Sequence, residues 1–450
     1  MPTDPVPGLL ARASEALEAE FSSLPPSESA AADSEAMSSV LAEVAHRMGD
    51  NYPYFHPLYA GQMLRPPHPL ARAAYALAMS INPNNHARDG GRASSEMEIE
   101  AVAQIARMFG WTEHLGHLTS GGTMANLEAL WVAGQLAPGK RIVGSGQAHY
   151  THSRISGVLQ LAYTPVAADR RGRMDLAALE DELRKGDVGT VVVTLGTTGV
   201  GAVDPLHEVL SLRGRYGFRV HVDAAYGGYF RLIADVLDEP VRRAYQAIEQ
   251  ADSIVVDPHK HGLQPYGCGC VVFRDPGVGR LYKHDSPYTY FTSKELHLGE
   301  ISLECSRPGA AAVALWATQR LLPLEPGGVF AQGLGRCRSA AVELDRRLRA
   351  DGRFEPLAAG APDLDIVVWK MAAGTVEESS AHAQKIFVAA AIHDLHLALV
   401  QLPQSWFGPA DVVENGAEKS VTCLRSVLMK PEHLEWLDRI WERLSLSCER

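Results

Sequence analysis

The sequence predicts an α/β fold, a mostly parallel central sheet covered by helices, followed by a smaller C-terminal α+β domain. Three observations carry this. From about residue 95 to residue 273, helical stripes alternate with short apolar runs, which is the pattern of strand–helix–strand units. Runs such as residues 190–195 and Ser253–Val256 are mostly apolar, with only Thr and Ser among the apolar residues, as strands buried on both faces require. Beyond about residue 325 the order changes to longer helices with fewer strands. The division read from this is an N-terminal arm and helical segment over 1–90, a large domain over 91–325 and a small domain over 326–450.

The bulk properties fit that reading. A chain of 450 residues is long enough for two or three packed regions. It is 46% apolar and 21% charged, ordinary for a globular protein. A net charge of −11 argues against binding nucleic acid or an anionic membrane surface. The first residues show no basic region followed by an apolar core, so no secretory signal is expected. No apolar stretch reaches the length of roughly 18 residues that a membrane helix needs. Six cysteines do not make a disulfide framework, and reduced thiols in a cytoplasmic protein are expected. Cys268 and Cys270 would share one face of a strand; with no second Cys/His pair beside them, core packing is the expected role.

Taken in order, residues 7–21 form an amphipathic helix ended by the breaker SLPPSES, and Ser34–Met48 carries a second helix with Val40, Leu41 and Val44 on one stripe. Residues 51–59, NYPYFHPLY, are too rich in proline for helix or central strand. They read either as a rigid packed loop or as the aromatic wall of a pocket. Residues 95–109 form a helix with Ser95 as cap, Glu98 at capping-box spacing and Gly110 at its end. Strands then alternate with helices: a strand at 117–119, a helix over 123–136, a strand at 141–143 and a helix over 152–161. Leu176–Leu183 is a helix, 190–195 a strand, Leu206–Tyr216 a helix and 218–222 a strand. A helix over 241–250 leads to strands at Ser253–Val256 and Gly269–Phe273. The rest gives helices at 310–322, 332–348, 380–395 and 433–444 and strands at 366–370 and 421–429.

Five motifs fall on loops after predicted strands, where an open parallel sheet binds its ligands. TSGGTMAN (119–126) brings glycines directly into a helix start, so Gly121, Gly122 and Thr123 can meet an anion. AHYT (148–151) offers His149. TLGTTGVGAVDP (194–205) offers hydroxyls, and HVDAAYGG (221–228) ends a strand on Asp223, a buried carboxylate that needs a partner. DPHKHG (257–262) ends the next strand on His259 and Lys260. An amine at a buried strand end can act as a nucleophile toward an aldehyde. An anion cradle, a ring-sized site, a carboxylate and a lysine are the parts that pyridoxal 5′-phosphate needs.

These five motifs resemble those of the group II pyridoxal-phosphate-dependent amino-acid decarboxylases, which have the fold-type I, aspartate aminotransferase-like architecture. The resemblance covers roughly residues 50–440. It implies that Lys260 is the Schiff-base lysine, that Asp223 pairs with the pyridine nitrogen, that Ala225 lies under the ring and that His149 stacks over it. It implies contacts of Gly121, Gly122, Thr123 and His259 on the phosphate side, and of Thr197 near the ring hydroxyl. Ser306-Arg-Pro-Gly309 resembles a glutamate decarboxylase segment, and Arg425 matches an arginine that can meet a substrate carboxylate. The family's mobile loop carries a tyrosine that returns a proton after carbon dioxide leaves; the candidates here are Tyr288, Tyr290 and His297, with Tyr290 carried as catalytic. The resemblance also implies a homodimer. Tyr54, Phe55 and His56 are the expected side-chain contacts for an aromatic substrate, and His56 with Arg425 for an acidic one. The expected activity is decarboxylation of an L-amino acid to the amine. The alternatives are aldol-type cleavage, aminotransfer, oxidative decarboxylation to an aldehyde, or a catalytically inactive regulatory member of the fold.

Overall fold

The computed structural model describes residues 4–25, 33–283, 301–357, 360–408 and 419–449. Strands β1 (Leu115–Thr119), β2 (Arg141–Ser145), β3 (Tyr163–Val166), β4 (Val188–Thr194), β5 (Arg219–Asp223), β6 (Ser253–Val256) and β7 (Gly269–Phe273) form a seven-stranded sheet in the order β1-β7-β6-β5-β4-β2-β3. The pairs from β3 through β6 are parallel, and β7 runs antiparallel to both of its neighbours, β6 and β1. Every residue of β4, β6 and β7 is buried, which is why these strands read as largely apolar runs. Helices Gly122–Leu136, Thr151–Val158, Leu176–Leu183 and Leu206–Tyr216 lie between successive strands. Cys268 and Cys270 are buried in the core of this sheet.

The second sheet comprises β8 (Phe354–Pro356), β9 (Ile366–Met371), β10 (Ala398–Pro403) and β11 (Ser420–Val427), in the order β10-β11-β9-β8 and antiparallel throughout. Helices Val329–Ala350, Val376–Ile392 and His433–Ser447 pack with it around the fully buried Trp369.

β3, β8, β10 and the helix Pro69–Met79 are among the elements that escaped the sequence reading, and each contains a proline. β3 contains Pro165 and β10 ends on Pro403; both are edge strands, where a missing N–H costs no ladder bond. The helix Pro69–Met79 begins in a proline-dense stretch. Its proline sits in the first turn, and His68 Nδ1 caps it by accepting the Leu70 N–H at 3.1 Å.

The expected capping box at Ser95 and Glu98 is corrected by the structure. That helix starts at Arg92, so Ser95 already lies inside it. Glu98 is buried and turned inward, where it accepts from Arg307 Nη1 at 2.6 Å, Asn85 Nδ2 at 2.6 Å and the Leu118 amide at 2.9 Å. Arg307 also donates to the Leu118 carbonyl at 2.8 Å. A carboxylate on the inward stripe of the helix was needed to hold the Ser306-Arg-Pro-Gly309 segment, not to cap a helix end.

Glu98→Ala should strand the Arg307 guanidinium. Removing one partner of a buried ion pair costs about 3–5 kcal/mol, and urea unfolding should show a loss of that size. A loss under about 1 kcal/mol, the range of an exposed bridge, would contradict the assigned role.

Candidate active site

A cavity of about 320 Å³ opens at the carboxyl ends of the parallel strands, where an open sheet of this topology binds its ligands. Its lining comes from the loops after β1, β2, β4, β5 and β6. Parallel registration does this work. Thr194 at the end of β4 lies opposite Asp223 at the end of β5, and Asp223 lies opposite Val255 of β6, two residues before Asp257.

Lys260 reaches the cavity from the turn after β6. Its Nζ stands 3.1 Å from Asp257 Oδ2, with the lysine side chain 20% exposed and the aspartate 3%. His259 lies in the same turn, with Nδ1 on the Cys268 carbonyl at 2.8 Å and Nε2 at 3.5 Å from Asp257 Oδ2. Burial holds its imidazole below the usual pKa, against the opposing pull of Asp257. The DPHKHG motif by itself assigns Asp257 no role. The argument applied to Asp223, that a carboxylate ending an apolar strand needs a cation, would have found its link to Lys260 as well.

The glycines at the start of helix Gly122–Leu136 are needed for close approach. A Cβ on Gly122 would meet Asp257 Oδ2 at 2.6 Å, and Gly121 holds φ +156°, a conformation that side chains disfavour. Thr123 is exposed toward the cavity. The first amides of a helix have no acceptor within it and favour an anion.

Asp223 is buried at the cavity wall. Its Oδ2 lies 2.8 Å from His152 Nε2, and its Oδ1 accepts the Ala225 amide at 3.1 Å. Burial alone pushes this carboxyl up. The His152 hydrogen bond, Lys260 and the Ala225 amide outweigh it and hold the group below the usual carboxylate range. Ala225 itself lines the cavity. His149 is half-buried, with Nδ1 and Thr151 Oγ1 2.8 Å apart. Burial pushes its imidazole down despite Asp223, which favours the neutral ring.

Gly121, Gly122, Thr123, His149, Asp223, Ala225, His259 and Lys260 therefore meet in one lining. Thr197 does not join them. It is fully buried, and its hydroxyl accepts the Ala202 amide at 3.0 Å; Thr194 and Thr198 line the cavity instead. Tyr54 and His56 pack on other aromatic side chains, Tyr54 edge-on to Tyr59 at 4.9 Å and His56 edge-on to Trp436 at 4.8 Å, while Phe55 is exposed. Within one chain, residues 51–59 thus pack against the second-sheet region and line no part of this cavity. Arg425 is buried one layer behind the wall, with Nη2 donating to the Thr198 carbonyl at 2.7 Å and Nη1 to Gln62 Oε1 at 3.1 Å. Tyr288, Tyr290 and His297 lie outside the described residues.

His152 was missed: it follows His149 across a turn in which its amide donates to the His149 carbonyl at 3.0 Å, and no spacing in the sequence aims its side chain at Asp223. Tyr226 was also missed as a lining residue; its hydroxyl donates to the buried Asp365 Oδ1 at 2.6 Å, and burial with that carboxylate keeps the phenol protonated.

The residues fit pyridoxal 5′-phosphate. Free helix-start amides suit its phosphate, Asp223 suits a protonated ring nitrogen, and Lys260 supplies an amine. Thr194 Oγ1 and Asp257 Oδ1 are buried without a hydrogen-bond partner among the described residues, so the cavity has polar atoms left to be satisfied by a ligand.

Residues 36–372 match the family model described as the pyridoxal-dependent decarboxylase conserved domain. The L-tyrosine decarboxylase of Enterococcus faecium is 29% identical over 416 residues, covering 70% of this chain and 67% of that protein. The probable L-tyrosine/L-aspartate decarboxylase of Methanothermobacter thermautotrophicus is 28% identical over 321 residues, covering 69% of this chain and 82% of that protein. The matches to bacterial tyrosine decarboxylases span 58–67% of those proteins' lengths. Among solved structures, Oryza sativa TDC with PLP and tryptamine superposes with a TM-score of 0.77 at 18% identity, covering 100% of this chain and 99% of that one. Mouse CSAD gives 0.77 at 20% identity, covering 96% and 92%. These two likenesses establish the fold, the fold-type I architecture expected from the motifs.

Proposed function

The chain belongs to the pyridoxal-dependent decarboxylase family, and from that premise we propose that it decarboxylates an L-amino acid with an aromatic or acidic side chain, giving the amine and carbon dioxide. The observation that carries this reading is the convergence of Lys260, Asp223 and His149 on one cavity beside the glycine cradle.

In this reading Gly122, Thr123 and His259 hold the phosphate, Asp223 faces the ring nitrogen, His149 and Ala225 flank the ring, and Lys260 supplies the amine. The bound cofactor contributes an aldehyde that takes up an amino group and a protonated ring that withdraws the electron pair of the bond that breaks. The chain's own part is electrostatic and steric. Asp223 keeps a negative charge beside the ring nitrogen, and such a pairing favours the protonated form by about 1–3 pKa units. The neutral His149 adds a flat face without adding charge. Tyr290 is the group proposed to return a proton to the α-carbon.

The substrate class rests on the relatives, which are named for tyrosine or for tyrosine and aspartate. Within one chain Arg425 braces the wall from behind, its Nη2 donating to the Thr198 carbonyl, and so favours neither substrate class by direct contact. We also propose a homodimer. The helix Ser34–Met48 buries none of its residues, yet exposes Met37, Val40, Leu41, Val44 and Met48. An apolar stripe of that kind is suited to a second chain.

Purified protein with pyridoxal 5′-phosphate, offered tyrosine, aspartate, glutamate and tryptophan in turn, should release amine and carbon dioxide in equal amounts from at least one of them. A keto acid with no carbon dioxide would reject the decarboxylase reading. Light scattering should give twice the mass of the 48.7 kDa chain, falling toward one chain in Leu41→Glu; a monomeric wild type would reject the dimer.

A further inference from the structure

His152 stands behind Asp223 with its side chain fully buried, at the start of helix Thr151–Val158. Its Nε2 is 2.8 Å from Asp223 Oδ2, and its Nδ1 has no partner among the described residues. The nearby His221 cannot serve in its place. Its Nε2 is committed to Asn126 Oδ1 at 2.8 Å and its Nδ1 to Ser253 Oγ at 2.9 Å.

The pattern of partners fixes where the His152 proton sits. One proton on Nε2 satisfies the bond to Asp223 and leaves Nδ1 as a bare acceptor. An imidazole with one N–H lends Asp223 a hydrogen bond without cancelling its charge. A buried arginine or lysine in the same place would cancel it and compete with the ligand for the carboxylate. The Ala225 amide holds the other oxygen, so the carboxylate plane is set by one donor on each oxygen.

We propose that His152 is a positioning residue for this site: it donates Nε2–H to Asp223, fixing the carboxylate in place as an anion so that the ring nitrogen opposite it stays protonated. This rests on the reading of Asp223 given above, and the test separates the two. Holoprotein is prepared with pyridoxal 5′-phosphate carrying ¹⁵N in the ring, and the ring-nitrogen chemical shift is measured alongside the cofactor Kd. Wild type should show a protonated nitrogen. His152→Leu should shift it toward neutral pyridine and weaken cofactor binding about tenfold, equivalent to about 1.4 kcal/mol. His152→Gln, whose amide nitrogen reaches the same place, should restore the wild-type shift, while the shorter His152→Asn should not. A protonated nitrogen and unchanged Kd in His152→Leu would overturn the proposal, as would indistinguishable Gln and Asn variants, which also decide the matter if the leucine variant does not fold. A neutral nitrogen in wild type would instead reject the role of Asp223 itself.

Discussion

Two buried carboxylates at the ends of adjoining parallel strands govern the arrangement of this molecule. Asp223 ends β5 and Asp257 follows β6, and the strands pair so that Asp223 lies opposite Val255. Neither carboxylate is tolerable in the interior without a partner. Asp257 takes Lys260 and His259; Asp223 takes His152 and the Ala225 amide. Each pairing fixes, at the same sheet edge, a group that a ligand in the cavity can reach. The amine and the anion that the proposed chemistry requires are thus placed by the same demand for charge satisfaction that holds the core together.

The cradle at the helix start is fused to this arrangement through backbone contact. β1 pairs with β7 so that Thr119 lies opposite Gly269. A Cβ on Gly269 would come within 2.7 Å of the Gly121 Cα, and one on Gly122 would strike Asp257. The glycines are therefore set by packing between the anion cradle and the lysine turn. A side chain there would push apart the two ends of the site. The same logic extends outward: Glu304 Oε2 accepts the Ser120 amide at 2.9 Å, and Arg307 nearby is held by Glu98. The segment after residue 300 is thus tied to the cradle by one exposed contact and one deeply buried pair.

The central sheet was legible because β4, β6 and β7 are buried on both faces and leave largely apolar runs. The edge strands β3 and β10 were not, because proline is excluded from central strands but tolerated at edges, and a single sequence does not say which a strand will be. The lysine, the aspartate and the glycine cradle were legible because each follows a strand or opens a helix in a motif of specific composition. His152 was not, because its role depends on Asp223, 71 residues away at the end of β5; Asp257 pairs with Lys260 within its own turn, and the charge argument made for Asp223 reaches it too. The placing of Thr197 turned on one hydroxyl choosing a neighbouring amide over the cavity, a choice that spacing alone does not encode. Residues 51–59 left two readings open; within one chain they line no part of the cavity, and Tyr52 and Phe55 are exposed.

The account stands on Lys260 being the residue that holds the cofactor. Borohydride reduction of the holoprotein followed by peptide mapping tests this directly. The account predicts a single pyridoxyl-labelled peptide, with the label on Lys260, and none in Lys260→Ala. A label on another lysine, or its persistence in the variant, would contradict it.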